Sequence, residues 1–79
     1  MDVSRIRIRR VGQRLLIGRR YEVEIPADER KPAKHATTRA PVALLVPILG
    51  VGDAWALIAA ADRAWDGRVG QWVTLFGHD

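Results

Sequence analysis

The sequence predicts an α+β domain: a small antiparallel sheet, made of an N-terminal hairpin plus a C-terminal strand, with one helix packed on it. Three observations point there. Apolar and charged residues alternate with period two through residues 4–10 and again through 21–25, the pattern of strands with one buried and one wet face. A stripe at helical spacing, Ala54, Leu57, Ile58, Ala61 and Trp65, follows in the second half. The chain has 79 residues and no cysteine, which suits one domain, excludes two lobes around a cleft, and leaves no disulfide to supplement a small core.

Taken in order, residues 4–10 predict the first strand, with Ile6 and Ile8 inward. Gly12-Gln13 offers a turn, and residues 14–25 predict a second strand, bent at Gly18 and ended by Pro26. Paired as a hairpin, they put Tyr21, Val23 and Ile25 beside Ile6 and Ile8, and Glu22 and Glu24 beside Arg5, Arg7 and Arg9. Residues 27–40 are polar and predict a long loop, of a length that is usually either functional or mobile, with packing in a larger assembly as one way to hold it. The run 42–49 is apolar on every side and contains Pro47, so it predicts a short strand or extended segment rather than a helix. After Gly50-Val51-Gly52, Asp53 reads as the N-cap of a helix reaching about Trp65, with Gly67 as its stop. Residues 70–76 predict the last strand. The chain is therefore read as a single domain, 1–79, with a basic hairpin (1–26), a polar loop (27–40), and an apolar segment, helix and final strand (41–79).

Charge is unevenly spread. Residues 1–40 hold 11 basic and 5 acidic side chains, and 41–79 hold 2 and 4. A cationic front half favours an anionic partner, whether nucleic acid, an acidic protein face or a lipid headgroup. Eleven of the thirteen basic residues are arginine, the side chain suited to forked contacts with phosphate or carboxylate. This usage, rich in Arg, Ala, Gly and Val with two lysines, resembles that of GC-rich prokaryotic or phage genomes. No uninterrupted apolar run follows the basic start before Pro26, so a signal peptide is not expected and the cytoplasm is, or a virion for a phage product. Residues 40–61 have Asp53 as their sole ionisable member. A mid-membrane charge costs roughly 3 kcal/mol, and Pro41, Pro47, Gly50 and Gly52 interrupt the stretch, so a buried segment is expected rather than a span.

Catalytic chemistry is not expected. Ser4, Thr37, Thr38 and Thr74 stand in no nucleophile setting. The carboxylate pairs Glu22/Glu24, Asp28/Glu29 and Asp62/Asp66 read as solvated faces, and His35, His78 and Asp79 lack metal-ligand spacing. Gly50-Val51-Gly52 lacks the third glycine and the βαβ setting of a dinucleotide fingerprint, so no cofactor is expected.

What remains is binding. Arg5, Arg7, Arg9, Arg10 and Arg14, with Lys31, Lys34 and Arg39, are the candidate electrostatic contacts; Arg19 and Arg20 extend the row. Side chains two apart on a strand sit about 6.6 Å apart, close to phosphate spacing, although the glutamates of the neighbouring strand quench part of the field. Trp55, Trp72 and Phe76 are the candidate apolar anchors, because tryptophan is enriched at binding hot spots and Trp55 lies off the helix stripe. The run 9–18, Arg9-Arg10-Val11-Gly12-Gln13-Arg14-Leu15-Leu16-Ile17-Gly18, together with Glu22-Val23, resembles the first two strands of the carbon storage regulator family. That resemblance implies a small dimeric protein binding GGA-containing leader RNA. It covers the hairpin alone, and the family's directly following third strand and terminal basic segment find no counterpart in the sequence. The leading expectation is a non-enzymatic binding or assembly protein of phage or mobile-element type, docked on a larger protein complex or on its own copies as subunit or inhibitor. Nucleic-acid binding through the arginine-rich hairpin is the alternative.

Overall fold

Alternation of aliphatic and charged side chains builds the sheet. In the computed structural model, which describes residues 3–12, 19–68, 70–75 and the backbone of 77–78, β1 (Arg7–Val11) and β2 (Arg20–Ile25) pair antiparallel, with Ile8 opposite Val23 and Arg9 opposite Glu22. Ile6, Ile8, Tyr21, Val23 and Ile25 are all buried, as the period-two reading predicts. The first strand begins later than expected, because Val3–Arg5 forms a 3₁₀ turn that Ile6 closes by donating to the Val3 carbonyl (3.2 Å). The predicted strand segment 14–18, its bend at Gly18, and Arg14 lie outside the described residues.

The polar stretch 27–40 is not all loop. Lys34–Thr38 forms β3, antiparallel to β2 at the edge of the sheet, with Ala36 opposite Val23. An edge strand with one wet face needs little apolarity, so its composition hides it. The connection before it is pinned by paired backbone hydrogen bonds between Asp28 and Lys31 (2.8 and 3.3 Å).

Pro41–Leu49 is a helix, α1, where an extended segment was expected. Pro41 occupies the first turn, where its missing N–H costs nothing. Pro47 removes the bond that would run to the Ala43 carbonyl, and burial of Leu45 with α1 packed on α2 offsets that loss. The second helix, α2 (Val51–Arg63), buries Ala54, Leu57, Ile58 and Ala61, four of the five predicted stripe positions. Trp65 lies beyond its end and is half-buried. The N-cap is Gly50 rather than Asp53, which instead lies in the first turn, where a carboxylate favours the positive end of the helix dipole. Gly50 alone joins the two helices, at φ 86° and ψ 165°, a conformation reserved for glycine.

The last strand is shorter than expected: β4 (Val73–Thr74) pairs with β1, and β5 (Gly77–His78) pairs with β4. Phe76 lies outside the described residues. A bridge between Trp65 and Gly70 leads into β4, and a side chain at Gly70 would fall 2.2 Å from the Arg10 carbonyl oxygen. The sheet order is β3-β2-β1-β4-β5. Helix α2 lies across β1 and β4 with α1 packed against it, so one sheet face is covered and the other is wet. Among the described residues no helix is long and apolar enough to cross a membrane; residues 40–61 form two short helices instead.

Candidate functional site

Register decides what the arginines do. Arg7 opposes Glu24 and Arg9 opposes Glu22 on the uncovered face. Arg7 donates from Nε and Nη2 to both Glu24 oxygens (2.9–3.0 Å), and Arg9 Nε donates to Glu22 Oε1 at 2.6 Å. His35 Nε2 lies 2.7 Å from the other Glu22 oxygen. Burial pushes the Glu22 carboxyl up, but the hydrogen bonds and charges of Arg9 and His35 outweigh it, and the carboxyl sits below its ordinary value. Both guanidiniums also stack on Trp72, with Arg7 at 4.3 Å and Arg9 at 4.7 Å from the ring centre. Trp72 thus joins the charged face, not the core, and supplies there the aromatic surface that the sequence reading placed in the apolar half.

Arg10, one position on, points to the opposite side. It lies 3.7 Å from Asp62 and stacks on Trp65 (4.8 Å). Asp62 also receives Arg19 at 3.0 Å and the Tyr21 hydroxyl at 2.8 Å. The Tyr21 hydroxyl is raised above its ordinary value, first by burial and then by its bond to Asp62. Asp62 therefore serves as a tie between β1, β2 and α2. Among the described residues no cluster of three metal-ligating side chains occurs.

The helical layer is different in kind. Ala43 and Pro47 on α1, and Val51, Gly52, Trp55, Ala56 and Ala59 on α2, are exposed and uncharged. Val51 is 61% and Trp55 54% exposed. Beside Trp55 runs a groove of about 580 Å³ lined by Tyr21, Ala40, Pro41, Val42 and Ile58, with Arg19 and Arg39 among its walls. A larger concavity of about 720 Å³ at the other end of the sheet, as apolar as it is polar, brings Arg5, Arg7 and Lys34 together, and the Arg7–Glu24 pair lies in its wall.

The structure thus brings Arg39 and Trp55 together and separates them from Arg7, Arg9 and Trp72. Lys31 stands exposed in the β2–β3 connection, and Arg5 is exposed in the 3₁₀ turn. Sequence reasoning missed Pro41, Val42 and Ile58 as groove walls and Asp62 as a tie. The i, i+4 spacing of Val51 and Trp55, outside the buried stripe, is the signal that marks the outward face. Comparison with known proteins returned no match, whether to a family model, a curated protein or a solved structure.

Proposed function

We propose that this chain is a non-enzymatic binding protein that docks on a larger protein assembly through its helical layer, with Trp55 as anchor. One observation carries the reading: between Pro41 and Ala61 the outward sides of both helices bear Asp53 as their sole charge, while Trp55 and Val51 stand more than half exposed. A largely apolar surface around an exposed indole is a usual mark of contact with another chain. Covering the free part of Trp55, roughly 100 Å², contributes about 2.5 kcal/mol to such a contact. The hairpin arginines offer less to an anionic partner, since Arg7 and Arg9 spend their forks on glutamates and both lie over the Trp72 ring.

Recovery of the tagged full chain from its native cell tests this. The expected result is a protein complex that survives nuclease and high salt, persists in the Arg7→Gln/Arg9→Gln variant, and disappears with Trp55→Asp at unchanged melting temperature. Loss on nuclease treatment, with affinity falling by about 0.9 log units per log unit of salt for each phosphate neutralised, would instead establish the nucleic-acid alternative.

A further inference from the structure

Resting on that docking reading, we infer that the Trp55 groove receives a linear acidic segment of a partner protein, one apolar side chain seated between Trp55, Pro41, Val42 and Ile58 and its flanking carboxylates met by Arg19 and Arg39. The groove's volume, about 580 Å³, lies within the roughly 300–1,000 Å³ of pockets that enclose small groups. As an open concavity of that size it has room for one side chain with its neighbours. Its lining is apolar apart from the two arginines and the Tyr21 hydroxyl, and no acidic residue is among the described residues that line it.

One of the two charges at its rim is left over: Arg39 has no carboxylate partner among the described residues, whereas Arg19 pairs with Asp62 at 3.0 Å while keeping its side chain 58% exposed. Asp62 is shared among Arg10, Arg19 and Tyr21. Exposed Arg20 adds a further positive charge at the same end of β2. Carboxylates are the complement such forked donors select. A second copy of this chain fits poorly, because its exposed acidic pair Asp28-Glu29 runs directly into Arg30-Lys31.

Selection of a random peptide display library by the purified full chain tests the inference. Enriched peptides should carry Asp or Glu on both sides of a Leu, Phe or Trp. The leading peptide should lose about tenfold or more in affinity against Arg39→Glu and against Trp55→Ala, and a peptide with lysine replacing its flanking acid should regain binding to Arg39→Glu. That charge-swap rescue distinguishes contact from damage to the fold. Peptides that need Trp55 but show no preference for acids would overturn the acidic segment and leave the docking reading standing. Absence of any enriched peptide, with self-association in sedimentation or with adsorption to phosphatidylserine vesicles that Trp55→Ala abolishes, would overturn it in favour of a second copy or a lipid surface.

Discussion

The wet face of the sheet and the outward face of the helices are both solvent-exposed, yet one is chemically saturated and the other is not. On the sheet, Arg7 and Arg9 each meet a glutamate across the strand and an indole above, and His35 closes on Glu22. On the helices, Trp55 and Val51 project without any charged neighbour on α1. An arginine count therefore says little about a free cationic surface until strand register is known. The guanidiniums left without a cross-strand carboxylate are those outside the ladder.

The contrast rests on a shared core, so removing it should produce the largest effect. Leu57→Ala empties a buried position between helix and sheet and should cost about 3 kcal/mol by denaturant unfolding. Tyr21→Phe, which removes the 2.8 Å bond to Asp62, should cost about 1.5 kcal/mol. Because the Tyr21 hydroxyl is raised in the folded state, its contribution is complete below its ordinary value and is lost as pH rises through the folded one. The phenylalanine variant should accordingly lose less stability on the alkaline side than the parent. Glu22→Gln breaks the Arg9 and His35 contacts of the sheet face and should cost about 0.5–1 kcal/mol. Its carboxyl is lowered, so the parent's stability holds above the ordinary carboxylate value and falls as pH drops through the folded one; the glutamine variant should show a shallower acid limb. Smallest of all, Trp55→Ser should change stability by no more than about 0.5 kcal/mol. A larger loss would mean that the indole holds the fold together, and the two faces would cease to differ.

The hairpin core and its Arg–Glu ladder were legible in the sequence because a period of two fixes both faces at once: Ile6, Ile8, Val23 and Ile25 inward, Arg7, Arg9, Glu22 and Glu24 outward. The α2 stripe was legible for the same kind of reason. Helix α1 was not, since a run apolar on all sides has no period, and Pro47 counts against a helix unless Leu45 has α2 to pack on. The strand β3 escaped because His35, Thr37 and Thr38 become strand residues only when β2 offers them partners. Trp55 stood out as an indole off the stripe, but the groove beside it did not. Its walls come from β2, the start of α1 and the middle of α2, and only the folding of Pro41–Leu49 as a helix brings Arg39 to Trp55.

Gly50 gives this arrangement a particular mechanical character. A joint one residue long, held in a backbone state no L-side chain adopts comfortably, leaves no slack with which the helices could slide or splay independently. The two helices therefore present their outer sides in one fixed relation, and a lone methyl added at position 50 would strain the joint that sets it.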